Sequence, residues 1–162
     1  MKNIISKKYI TDALYKYFYN DKNMVMLVSD SGYAVLDKYY MDFPNRVFNL
    51  GIAEQATVGI SAGMSLTDLH PIIFAPIPFI IMRAYEQIRY DINEHNLNVK
   101  IIGLAANNAL SSLGRSHCMD DDDIKLVSIL ENFLILTPTK DNIEKSVRQF
   151  IEYNGPAYIR CN

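Results

Sequence analysis

The chain has 162 residues, 49% of them hydrophobic and 21% charged, with a formal net charge of −2. That is enough chain for one domain with a core of ordinary size, and it offers no basic surface for nucleic acid. No apolar run reaches membrane-spanning length; the longest, 72–82, is broken by Pro76 and Pro78.

The start, 1–8, carries too short an apolar run for a signal peptide. Cys118 and Cys161 lie far apart without metal-ligand spacing and read as reduced thiols of a cytoplasmic protein. Ser6 is placed to N-cap a helix over 7–19, with Ile10, Ala13, Leu14 and Phe18 on one face. Residues 24–29 are a continuous apolar run ending at Asp30-Ser31-Gly32. That is the pattern of a buried parallel strand, whose polar end is where such sheets take ligands. A short helix over 33–40, a loop over 42–45 and a strand over 47–50 follow. The chain then turns on Gly51 and enters a helix that runs to Met64. Next come a strand over 70–75, a loop with two prolines and a helix over 79–93. In that helix Ala84, Ile88 and Ile92 repeat at helical spacing, and Arg83, Glu86, Arg89 and Asp91 are the polar complement. A strand over 98–105 leads into a polar loop over 107–119. Asp120 to Asp123 start a helix reaching 130, where four acids suit the positive end of the dipole. A strand over 133–136, a helix over 141–153 and a strand over 157–160 close the chain. The alternation predicts one α/β domain over 1–162, a three-layer, mostly parallel sheet with helices on both faces.

The helix after Gly51 is apolar nearly all round. Ala56, Gly59, Ile60 and Gly63 share a face on which small residues let another backbone approach closely. One side would pack on this sheet and the other on a second polypeptide. Glu54 in the first turn is then either a helix-start charge or a working carboxyl at a buried junction.

Residues 46–63, Arg-Val-Phe-Asn-Leu-Gly-Ile-Ala-Glu-Gln-Ala-Thr-Val-Gly-Ile-Ser-Ala-Gly, closely resemble the motif of the pyrimidine-binding domain of transketolases and 1-deoxyxylulose-5-phosphate synthases. Residues 78–89 resemble the helix after the pyrimidine pocket, and 98–103 the next strand. Leu113-Gly-Arg-Ser-His117 is similar to that family's Gly-Pro-Thr/Ser-His loop; Thr137-Pro-Thr139 and Ile159-Arg160 also fall in order. The resemblance implies a thiamine diphosphate cofactor shared between this domain and a pyrophosphate-binding domain that carries Mg²⁺. It makes Glu54 the group that hydrogen-bonds the aminopyrimidine nitrogen and so activates the cofactor, which itself supplies the carbanion chemistry. Phe79 would stack on the ring, with Asp30, Ile52 and Arg83 also on the cofactor side. His117 would touch substrate hydroxyls and move protons. Ser31 would line the substrate side, and Arg160 would take a substrate phosphate or, equally, form a strand-end salt bridge.

Two departures from the family pattern matter. Leu113 stands where many transketolases carry a substrate-contacting aspartate, and Arg115 replaces the loop proline. The substrate therefore need not be an ordinary sugar phosphate, and Arg115 could add an anion contact. There is also no Gly-Asp-Gly followed by Asn for Mg²⁺ and diphosphate, so those ligands are expected on a partner chain and none here. The resemblance thus implies a pyrimidine-binding subunit of a split enzyme, lacking the pyrophosphate-binding and C-terminal domains and inactive alone. It would work as an oligomer on a sugar or sugar phosphate, transferring a two-carbon ketol or acyl unit to an aldehyde. One subunit of a decarboxylating synthase and a non-catalytic scaffolding paralogue are the other two readings.

Overall fold

Residues 5–162 are described by the computed structural model. Each apolar run expected to be a strand forms one: β1 (Met24–Val28), β2 (Val47–Asn49), β3 (His70–Pro76), β4 (Lys100–Leu104), β5 (Leu134–Leu136) and β6 (Ala157–Arg160). They make one sheet in the order β2-β1-β3-β4-β6-β5, and every neighbouring pair is parallel. The helices are α1 (Lys7–Asn20), α2 (Asp37–Asp42), α3 (Glu54–Ser65), α4 (Tyr85–Gln87), α5 (Asp122–Ser128) and α6 (Ile143–Glu152).

Alternation along the strands divides the core into two layers. Met26, Val28, Ile72, Phe74 and Ile159 face α1, α2 and α6, where Leu14, Phe18, Tyr39 and Phe150 meet them. Ile73, Ala75, Ile101 and Tyr158 face the other side and pack against Val58, Ala62, Ile81, Ile88 and Val127. Each fully buried Val, Leu, Ile, Phe or Met among them contributes on the order of 1.5–3 kcal/mol. The sheet is thus covered on both faces, as all-parallel sheets must be. Strand order reverses between β1 and β3, so their carboxyl ends flank the crevice where a doubly wound sheet receives ligands.

Several expectations need correction in detail. The helix expected over 33–40 begins only at Asp37, because Gly32 (φ +85°) and Ala34 (φ +61°) are left-handed. Gly32 is also too tightly packed for a side chain, since a Cβ there would lie 2.6 Å from Leu36. The single helix expected over 79–93 is broken: π-helical turns Pro78–Arg83 and Ile88–Asn93 flank α4, with Ala84 off helical geometry between them. Such π turns are common at functional sites. Ser6 holds the N-cap position of α1, but its side chain makes no capping bond.

Candidate active site

Asn49, the last residue of β2, joins two turns. Its Oδ1 accepts the backbone N–H of Asp30 (3.2 Å) at the end of β1 and of Gly51 (3.0 Å) in its own turn. Gly51 sits at φ +74°, a conformation that favours glycine, and the chain re-enters a helix three residues later at Glu54. Ser29 lies 3.4 Å from Thr57, hydroxyl to hydroxyl, which sets the end of β1 against the first turns of α3.

Glu54 is buried, with 2% of its surface exposed, so it is not a solvated helix-start charge. Its Oε2 accepts a 2.6 Å hydrogen bond from Arg83, whose side chain remains 44% exposed. The Arg83 guanidinium lies 4.6 Å from the centre of the Phe79 ring. That ring meets the His117 imidazole edge-on, with centroids 4.9 Å apart and planes at 81°. Ser116 Oγ and His117 Nδ1 are 3.1 Å apart. Residues from three separate segments thus form a continuous series from Glu54 through Arg83 and Phe79 to His117. Ile80 is wholly buried in the core, while Phe79 is only half-buried and keeps part of its ring available.

The other expected site residues lie around this series. Asp30 is exposed, left-handed at φ +40°, and accepts a 3.3 Å hydrogen bond from the Tyr33 hydroxyl. Ser31 Oγ donates to the Phe74 carbonyl (3.2 Å), next to the end of β3. Ile52 projects from the Gly51 turn and is 72% exposed. Arg115 is exposed on a 3₁₀ turn, Arg115–His117, and lines a cavity of about 110 Å³ with Met82, Cys118 and Asp120.

Arg160, the last residue of β6, is buried. Its side chain is 4% exposed and pairs with Asp121 (2.9 Å) and Asp123 (3.0 Å), and it also donates to the Asp120 carbonyl (3.0 Å). These contacts form the strand-end salt bridge, one of the two arrangements expected of Arg160, and leave its buried Nε without a hydrogen-bond partner. The acid run needs correction. Asp123 is wholly buried and accepts a 2.6 Å bond from Tyr158; burial pushes its pKa up, against the pull of Tyr158 and Arg160. By sequence alone all four acids pass for helix-start charges. The signal that could have singled out Asp123 is that a buried Tyr and Arg two residues apart on β6 need an acidic partner.

Outside the core, α3 exposes Ala56, Gly59, Ile60 and Gly63 along one stripe, and a Cβ added at either glycine would touch nothing. Among the described residues no helix is long and apolar enough to cross a membrane.

Comparison with known proteins agrees with this fold. The chain is 33% identical to one of the subunits of the apulose-4-phosphate transketolase of Actinobacillus succinogenes, over 100% of this chain and 51% of that protein. It is 32% identical to the 1-deoxy-D-xylulose-5-phosphate synthase of Halalkalibacterium halodurans, over 92% of this chain and 24% of that protein. A solved structure described as a split gene transketolase, inactive beta4 tetramer, superposes with a TM-score of 0.82 at 31% identity, covering 98% of this chain and 51% of that one. The chain therefore spans about half the length of the apulose-4-phosphate transketolase subunits it matches, 51% in each. Residues 2–162 match the family described as transketolase, pyrimidine binding domain, and with a wholly parallel sheet and a buried glutamate at the head of α3, the chain belongs to that family.

Proposed function

We propose that this domain supplies the aminopyrimidine half of a thiamine diphosphate site in a transketolase-like transferase. The observation that carries the proposal is Glu54, a carboxyl 2% exposed at the mouth of the sheet's crevice, with Phe79 and His117 in series beside it. The residues present suit an aminopyrimidine. Arg83 occupies only Oε2 of Glu54, and Oε1 receives no donor among the described residues, so it is left to face a ring nitrogen. Phe79 offers a half-buried aromatic face for the ring itself. Arg83 holds the glutamate in one orientation through Oε2. The cofactor, when bound, supplies the stabilised carbanion.

His117 serves the substrate side. Its Nδ1 faces Ser116 Oγ, which leaves Nε2 to hold or move a proton at a substrate hydroxyl. Ser31 and Asp30 at the end of β1 border the same crevice, with Ile52 at its rim, and Arg115 meets an anionic substrate group from the loop. The diphosphate and its Mg²⁺ are held by a partner chain carrying the pyrophosphate-binding domain. The reaction is transfer of a two-carbon ketol unit to an aldehyde. The similarity to part of an apulose-4-phosphate transketolase favours a ketose phosphate donor. The similarity to a deoxyxylulose phosphate synthase supports a second reading, with pyruvate as donor and loss of carbon dioxide.

The test is reconstitution with the pyrophosphate-binding chain and assay with a ketose phosphate and with pyruvate. Glu54→Gln should cut thiamine-dependent turnover by about 10²-fold or more, the scale for losing a positioned acid–base group. Unchanged turnover in Glu54→Gln refutes the catalytic reading and leaves the scaffolding one. Turnover with pyruvate but not with the ketose phosphate selects the synthase.

A further inference from the structure

At the opposite, amino-terminal edge of the sheet, a cavity of about 120 Å³ opens between β1, β3, β4 and α6. That is several times the space one water needs. Its polar lining is Asp21, His70, Asn98 and Lys100; Met24, Ile72 and Ile151 form the apolar wall. None of these residues takes part in the site described above.

Lys100 is the unusual member. It is 4% exposed, yet none of the ion pairs among the described residues includes it. Its Nζ donates to the carbonyls of Tyr153 (2.6 Å) and Gly155 (2.8 Å). The neutral amine spends both of its N–H donors on these carbonyls; protonated, it gains a third with no acceptor, at a side chain that borders a cavity. A buried cation without a counter-charge is costly, and an anion in that cavity would relieve the cost. The neighbouring groups permit it. Asp21 spends both oxygens internally, accepting from His70 Nδ1 (2.6 Å) and from the Asn23 N–H (2.9 Å). With its Nδ1–H committed to Asp21, His70 offers Nε2 as a donor to an anion in the imidazolium form. Arg46 adds positive charge behind this pair, donating to the Asp21 and Met24 carbonyls. From α6 only Ile151 reaches the cavity, since Arg148 and Glu152 pair with each other at the surface (3.6 Å). The Tyr153 ring lies 5.6 Å from Nζ.

We propose that this cavity is a binding site for a small oxyanion, a phosphate or carboxylate group, held by the third N–H of the Lys100 ammonium with His70 Nε2 beside it. Burial pushes the unliganded Lys100 amine down to about 7, so an anion that restores its charge takes up a proton as it binds. The site is independent of the thiamine reading.

The test uses the full chain, titrated calorimetrically with inorganic phosphate and with acetate at pH 7.5 and constant chloride, in two buffers of different ionisation enthalpy. Saturable binding with proton uptake is expected. In NMR the His70 imidazole signals should move and those of His117 should stay. Lys100→Met should weaken binding by about ten-fold or more, the loss of a charge-assisted hydrogen bond. Tighter phosphate assigns the site to phosphate groups; tighter acetate assigns it to carboxylates. Absence of saturable binding overturns the proposal. So does binding without proton uptake, binding unchanged in Lys100→Met, or binding that moves only His117. The NMR and buffer comparisons need only the wild-type chain, so poor folding of the variant does not remove the test.

Discussion

Asp123 and Arg160 decide whether the end of β6 is a structural clamp or a substrate contact. Both side chains are buried, 0% and 4% exposed, and they meet at 3.0 Å. Removing one partner of such a pair leaves the other charge uncompensated, which costs about 3–5 kcal/mol. Asp123→Ala should fall at the lower end of that range: Arg160 keeps Asp121 at 2.9 Å, but the Tyr158 hydroxyl that now donates at 2.6 Å is stranded. Arg160→Met should cost at least as much, since the buried Asp123 keeps the Tyr158 hydroxyl but loses its cation. The combined Asp123→Leu, Arg160→Met, Tyr158→Phe variant removes both charges and the hydroxyl together. It should recover to within about 1–2 kcal/mol of wild type, as buried pairs often tolerate apolar replacement. Urea unfolding followed by circular dichroism at pH 7 measures all of these. Single variants that each lose under about 1 kcal/mol would sink the clamp. If Arg160→Met also kept full stability while raising the KM for a phosphorylated substrate, the phosphate role would stand in its place.

Gly103→Ala should destabilise by about 1–3 kcal/mol through overpacking, because a Cβ there lies 2.6 Å from the Tyr158 ring and 2.8 Å from Ile77; a change below about 0.5 kcal/mol in urea unfolding would contradict that packing. Lys100 has its amine lowered to about 7 by burial, so the unfolded chain binds the extra proton above that pH and wild-type stability should rise with pH from about 7 towards the ordinary lysine range. The stability of wild type relative to Lys100→Met should accordingly rise by about 1.4 kcal/mol per pH unit between pH 7.5 and 9.5, and a flat difference in parallel urea titrations would show that the amine is not desolvated. Phe79→Ala should weaken thiamine diphosphate binding in the reconstituted enzyme by about two- to ten-fold, on the 0.5–1.5 kcal/mol scale of an aromatic contact, whereas Phe79→Tyr should not; equal losses in fluorescence titration would count against ring stacking.

The strands were legible because a buried parallel sheet writes itself as apolar runs, and all six lie where the runs predict. The grouping of Glu54, Phe79 and His117 was legible only through resemblance to a family. No local pattern says that a helix start, a π-helical turn and a loop 63 residues beyond Glu54 converge. The break at Ala84 escaped prediction because the apolar spacing of 84, 88 and 92 fits a continuous α-helix as well as the interrupted one. Asp123 and Lys100 escaped for a related reason. A charge inside an acidic or apolar run declares its burial only when the partner strands are placed beside it, and both owe their setting to contacts more than 30 residues away.

One amide oxygen, that of Asn49, accepts from both Asp30 and Gly51. The end of β1 and the turn that launches α3 are therefore geared to one another. A displacement at Asp30 is passed through a single side chain to the turn that aims Glu54. The loop after β1 and the buried Glu54 carboxyl share a common datum, and their alignment is set within this domain.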